Sequence, residues 1–151
     1  MHYKFFTLAC FIFAMSLTAR AQPIADTEQQ AVKTVIQNMF TAMHNSDTTL
    51  LKNCFSTNAV FQTVVSKDNQ VVVKEVLVRD FINSIGKQPA GALDERIQFE
   101  TVKTDNDLAI VWTPYEFYFK NTYSHKGVNS FQLVKLKEGW KIQYLIDTRY
   151  H

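Results

Sequence analysis

From Leu108 to Thr148 the sequence carries three long runs of β-branched and aromatic residues with almost nothing between them. The runs are Leu108 to Phe119, His125 to Leu136 and Trp140 to Thr148. Side chains of this kind fit a pleated, half-buried surface, so each run predicts a strand. The connections are Lys120-Asn121-Thr122-Tyr123 and the tight Lys137-Glu138-Gly139, whose glycine can take the positive φ of a hairpin turn. Three such strands in succession predict an antiparallel meander, and the rest of the chain must fold against it. The first run is apolar at both parities: Ile110, Trp112 and Tyr118 on one side, Val111, Tyr115, Phe117 and Phe119 on the other. Both faces should then be covered. Helices cover one face, and a second copy of the chain is the natural cover for the other, so a homodimer is expected.

Upstream, Thr27-Glu28-Gln29-Gln30 has the form of a capping box. Val32, Val35, Ile36, Met39, Phe40 and Met43 follow at the spacing of one helical face, which predicts a helix of about 18 residues. Asp47 is placed to cap a second, short helix carrying Leu50, Leu51, Cys54 and Phe55. Ala59 to Val65 and Gln70 to Val76 read as a hairpin about the turn Lys67-Asp68-Asn69. Arg79 to Ile85 is a short helix closed by Gly86, Gln88 to Ala92 a loop, and Arg96 to Lys103 a further strand. No repeat or linker interrupts this order. The expected class is α+β, a single domain with helices gathered on one face of an antiparallel sheet.

The first 21 residues stand apart. A basic start at Lys4, an apolar run from Phe5 to Leu17 and small residues at Ala19 and Ala21 predict a signal peptide cut between Ala21 and Gln22. The run is shorter than the roughly 20 residues a bilayer span needs. The expected product is an exported, periplasmic or secreted protein of residues 22–151, with no membrane attachment after signal removal. Cleavage alters the charge. The full chain has 16 Lys and Arg against 14 Asp and Glu, and removing Lys4 and Arg20 balances them. A neutral chain without a basic stripe is a poor partner for nucleic acid. Cys54 is then the lone cysteine, read as a small buried hydrophobe in the absence of any local activating motif.

Few residues offer chemistry. His125, Asn129, Phe131 and Leu133 share one face of their strand, and His125 titrates near neutral pH. It can carry protons in a cavity, or simply meet solvent at a strand start. Asp147-Thr148-Arg149 can set a carboxylate and a guanidinium beside it, or close the sheet edge as an ion pair. Trp112, Tyr115 and Tyr118 are amphipathic aromatics of the kind that line small-molecule pockets, and equally of the kind that pack cores and interfaces. Glu116 lies among them, beside the bulge expected at Pro114. His44, His125 and His151 form no metal-ligand spacing, and no phosphate loop or Ser-His-Asp signature is present. No metal or cofactor is implied.

The element order and three local patterns resemble the nuclear transport factor 2-like superfamily, which includes ketosteroid isomerases and polyketide cyclases. The patterns are Asp47-Thr48-Thr49-Leu50-Leu51 to Phe55 with Asn58-Ala59-Val60-Phe61, then Gly127 to Val134, then Glu138-Gly139-Trp140-Lys141-Ile142. The resemblance implies a cone in which a curved antiparallel sheet wraps around the N-terminal helices. It covers all but the leader. It also implies where isomerase residues should stand, and there the chain departs: Met39 replaces the donor tyrosine, Thr63 the base and Phe131 the protonated acid. None of the three can do that chemistry. The leading expectation is therefore a site for a small, largely apolar molecule without covalent chemistry, with Trp112, Tyr115, Tyr118, His125, Asn129 and Phe131 as ligand-binding candidates. The alternatives are an enzyme using His125 as general acid or base with Asn129 or Asp147, and an interaction module whose cone is filled by Met39, Met43 and Phe131.

Overall fold

The amphipathic stripe beginning at Val32 does form a helix, and its apolar side is the floor on which the sheet closes. The computed structural model describes residues 24–67 and 70–150, so the expected signal segment and its cleavage point lie outside the described residues. Helix α1 (Ile24–Asn45) buries Val32, Ile36, Met39, Ala42 and Met43. It begins before Thr27, so the capping-box threonine sits inside the helix. Glu28 has a different use from the one its spacing suggested. It reaches across to the sheet and accepts hydrogen bonds of 2.8 Å from Lys135 Nζ and from Trp140 Nε1.

Ser46 takes a left-handed conformation, φ 56°, and turns the chain into α2 (Thr48–Cys54). Asp47 caps α2 as its sequence position predicts, accepting from the amides of Thr49 and Leu50 at 3.0 and 2.9 Å. Cys54 is buried and donates from Sγ to the Leu50 carbonyl. Burial pushes its thiol up to about 11.

The remaining elements are β1 (Phe55–Lys67), β2 (Gln70–Val76), α3 (Val78–Ile85), β3 (Leu93–Ile97), β4 (Thr101–Asp105), β5 (Leu108–Phe119), β6 (Thr122–Leu136) and β7 (Gly139–Thr148). They make one seven-stranded sheet in the order β2-β1-β7-β6-β5-β3, with β4 also beside β5. Every pairing is antiparallel except β1 with β7, which is parallel. The sheet is mixed: it is antiparallel as expected in every pairing but this one. After β2 the chain crosses by α3 to the far edge and meanders back, so β7 arrives beside β1 running the same way. Pairing between strands so far apart in sequence leaves no local signature.

Two other boundaries differ from the sequence reading for physical reasons. The strand expected from Arg96 to Lys103 is two strands, β3 and β4, both on β5. Between the pairs Ile97↔Tyr115 and Thr101↔Trp112, three residues stand opposite two, which is a bulge. Gln98 donates to the Pro114 carbonyl across it. A residue's N–H and C=O point to the same strand edge, so the missing donor of Pro114 falls at the bulge, where the ladder is already interrupted. Between β5 and β6, Lys120 and Asn121 both have positive φ, 50° and 65°, and close a two-residue hairpin. Thr122 and Tyr123 therefore belong to β6, and His125 lies within a strand instead of at its start.

The concave face of the sheet packs on α1, with the rings of Phe40 and Phe131 meeting edge to face at 6.3 Å. On β5 the alternation is clean from Ala109 to Tyr115, with the odd residues buried inward. The even residues Leu108, Ile110 and Trp112 stay exposed on the convex face, Trp112 at 43%. Their β4 neighbours there, Thr101, Lys103 and Asp105, are polar. No helix among the described residues is long and apolar enough to cross a membrane.

Candidate functional site

The register of the sheet arranges its concave face in rows. Val111, Phe131, Leu145 and Phe61 line up across β5, β6, β7 and β1 as a buried apolar row. Two residues along each strand the next row is Thr113, Asn129, Asp147 and Thr63. Those four are all the buried polar or charged residues among the described residues. Beyond them come the pair Tyr115 and Gly127, then Phe117 and His125. A polar band inside an apolar cone is thus a product of four strands, one residue from each.

Over this band, between the sheet, α1 and α3, lies a cavity of about 420 Å³. Small-molecule sites run from roughly 300 to 1,000 Å³, so it has room for a compact ligand. Met39 and Met43 of α1 and Phe81 and Ile85 of α3 form the apolar side. Tyr115, His125, Asn129, Asp147, Arg149 and Glu95 form the polar side. The methionines line the space and do not fill it.

The polar side is a hydrogen-bonded network that leaves some buried atoms unpaired. Arg149 Nε donates to Asp147 Oδ2 at 2.9 Å. Asp147 is only 4% exposed, and its Oδ1 has no hydrogen-bond partner. The Oγ1 atoms of Thr63 and Thr113, in the same row, have none either. Asn129 Nδ2 donates to Glu95 Oε1 at 2.9 Å. Burial pushes the Glu95 carboxyl up to about 7 against the opposing hydrogen bond from Asn129; the negative charge of Asp147 adds to the rise. Glu95 therefore changes charge near neutral pH.

Tyr115 donates its hydroxyl to the Thr148 carbonyl at 2.9 Å, and burial with the charges of Asp147 and Glu95 raises its pKa further. It remains a neutral donor at any ordinary pH. The His125 ring lies against Phe117 at 5.0 Å and edge to face with Tyr115 at 5.8 Å, with Nδ1 3.0 Å from Ser124 Oγ. Gly127 makes the Tyr115 bond possible. A Cβ there would stand 1.9 Å from the Thr148 carbonyl oxygen and 2.9 Å from the Tyr115 ring.

Of the residues singled out in the sequence, Tyr115, His125, Asn129 and Asp147 come together on the cavity. Trp112 is on the convex face, because its even position on β5 points away from α1. Tyr118 is beyond the shift in register after Phe117 and lies outside the cavity lining, donating to the exposed Glu116 and stacked under Arg96 at 4.0 Å. Phe131 is fully buried in the apolar row against Phe40, behind the cavity wall. Glu95 was not among the candidates. Its signal was its alternation with Leu93 and Ile97, which puts it on the inward face, but Asp94-Glu95-Arg96 reads as a solvated charge cluster and the strand was expected to begin at Arg96. Among the described residues no three His, Cys, Asp or Glu side chains converge as a metal-ligand set.

A curved mixed sheet closed over α1 and α3, with this cavity inside, is the nuclear transport factor 2-like cone fold. The chain is similar to an NTF2-like protein of unknown function from Shewanella baltica: TM-score 0.65, 14% identity, 83% of this chain and 96% of that one. It is similar also to an NTF-2 like protein of unknown function from Silicibacter pomeroyi, with TM-score 0.62, 13% identity, and 83% and 98% coverage. A domain of unknown function with a cystatin-like fold from Nostoc punctiforme gives TM-score 0.64 at 16% identity, over 83% of this chain and 78% of that one. No protein-family model matches the sequence, and no curated protein matches it. The likeness is one of fold.

Proposed function

We propose that this protein holds a small, largely apolar molecule in the cone, with the molecule's polar end on the Asn129–Asp147 band. The observation that carries this reading is the cavity of about 420 Å³ whose apolar walls surround a buried carboxylate oxygen, Asp147 Oδ1, with no protein partner. A buried acceptor left unpaired costs about 1–3 kcal/mol, which a ligand hydrogen bond removes. Native mass spectrometry of gently purified protein tests it. A reproducible extra mass, lost in Asp147→Leu protein that still folds, is the expected result. Bare chain mass together with no thermal stabilisation by any member of a library of small apolar compounds would remove the proposal.

One observation favours a catalytic reading as well. Glu95 and His125 both line the cavity, and Glu95 is poised to exchange a proton near neutral pH. Conversion of the bound compound by the wild-type protein, lost in Glu95→Gln or His125→Ala, would establish an enzyme; release of the compound unchanged would leave a binding protein. We further propose that the chain is exported with cleavage after Ala21, which N-terminal sequencing of the mature protein at Gln22 tests. The exposed stripe of Leu108, Ile110 and Trp112 supports a dimer through the convex face. Ile110→Asp should then yield a monomer by sedimentation, and a wild-type protein already monomeric at high concentration would dismiss that proposal.

A further inference from the structure

The reading of the cone as a small-molecule site leaves open what the polar end of the molecule is, and the arrangement of donors and charges narrows it. The donors on the polar side with a known partner face inward to protein acceptors. Arg149 Nε is taken by Asp147 Oδ2, Asn129 Nδ2 by Glu95, and the Tyr115 hydroxyl by the Thr148 carbonyl. Among the lining residues the unpartnered buried atom is an acceptor, Asp147 Oδ1, on a side chain 95% buried; the unpartnered hydroxyls of Thr63 and Thr113 are not part of the lining. Charge points the same way. Glu95, Asp147 and Asp80 line the cavity; Arg149, the one guanidinium or ammonium group among the lining residues, is held by Asp147, and the exposed Asp80 is paired with Arg79, which leaves Glu95 as the lining carboxyl with no cation on it. The surrounding walls include Phe61, Phe81, Phe117 and Tyr115, whose ring faces attract a cation.

We propose that the molecule is a small organic cation, an apolar body ending in a protonated amine, which donates an N–H to Asp147 Oδ1 with its charge lying among Asp147, Glu95 and the aromatic walls. A neutral alcohol can satisfy Oδ1 but brings no charge to favour ionised Glu95 beside it. A carboxylate ligand brings a further negative charge beside Asp147 and no donor for Oδ1, and the Arg149 guanidinium that would hold it is already paired with Asp147, so it is disfavoured. The inference rests on the cavity reading above and adds to it the sign of the ligand's charge.

Proton linkage provides the test. The titratable and charged groups sharing the cavity with Glu95 are His125 on β6, Tyr115 on β5, Asp147 and Arg149 at the end of β7, and Asp80 on α3; α1 contributes only methionines to the lining. In the free protein Glu95 is mostly protonated at pH 6 and mostly ionised at pH 8. An amine cation favours its ionised form. Binding should release up to about 0.9 proton at pH 6 and about 0.1 at pH 8, from a carboxyl that titrates at about 7.

The experiment is isothermal titration calorimetry of the mature protein in buffers of different ionisation enthalpy, with 2-phenylethylamine, 2-phenylethanol and 3-phenylpropanoate as matched probes. The expected result is binding of the amine at least tenfold tighter than the alcohol, no binding of the carboxylate, and proton release at pH 6 that disappears in Glu95→Gln. Asp147→Leu, which removes the acceptor, should weaken the amine by roughly 10- to 100-fold, the size of a lost hydrogen bond to a charged group. Alcohol and amine of equal affinity, amine binding without proton release, or preference for the carboxylate would overturn the cation and leave the cavity reading standing. Failure of all three probes, and of longer-chain amines and alcohols, would overturn both.

Discussion

Replacing Glu95 by glutamine keeps the shape of the side chain and an acceptor for Asn129 while removing its titration. The carboxyl is raised from its ordinary 4.5 to about 7 in the folded protein, chiefly by burial. Between those two pH values the unfolded chain has released this proton and the folded chain still holds it. Stability therefore falls as pH rises through that window, and the loss is complete above about 7. At 1.36 kcal/mol for each pH unit between the two pKa values, the loss is about 3 kcal/mol. Water reaching this partly exposed residue through the cavity lowers the figure, to about 2 kcal/mol. Urea unfolding at intervals from pH 4 to pH 8 measures it. The wild type and Glu95→Gln should be close at pH 4 and should diverge to a roughly 2–3 kcal/mol advantage for the variant at pH 8. Parallel curves across the range would refute the claim that Glu95 is buried in its protonated form.

Three further outcomes are expected. Gly127→Ala must push the Thr148 carbonyl away and break its bond from Tyr115, at a cost of about 2–4 kcal/mol for overpacking and the lost bond; a midpoint within experimental error of the wild type in urea would contradict this. Asp47→Ala removes the cap bonds to Thr49 and Leu50 and should cost about 1 kcal/mol by the same measurement. Cys54, with a thiol raised to about 11 by burial, should resist thiol reagents in the folded protein at pH 8 and react promptly in urea; rapid modification of the native state would show that α2 opens readily.

How much of this was legible in the chain differs from element to element. The stripe from Val32 to Met43, the Asp47 cap and the long runs of β5, β6 and β7 are local patterns, and they fold as their periodicity demands. Local pattern failed where a competing contact was stronger. Thr27 lost its role as a cap because the helix extends past it, and Glu28 found Trp140 and Lys135 across the molecule. The strand around Gln98 is divided by a bulge opposite Pro114 on a different strand.

The site divides in the same way. Composition and spacing identified Tyr115, His125, Asn129 and Asp147 as polar residues in β-rich runs, since alternation alone decides which of them share a face. Residue type misplaced Trp112 and Tyr118: as amphipathic aromatics they were grouped with Tyr115, although alternation sets them on the opposite face of the strand. Only the tertiary structure decided that β1 lies parallel to β7, and that pairing is what sets Thr63, Asp147, Asn129 and Thr113 in one buried row. Only the tertiary structure, too, brought Glu95 of β3 against Asn129 of β6, 34 residues away. Secondary structure answers to neighbours along the chain. The charge state of Glu95 and the unpaired oxygen of Asp147 answer to neighbours in space, and those were assembled by the crossing of α3 and the closure of the cone.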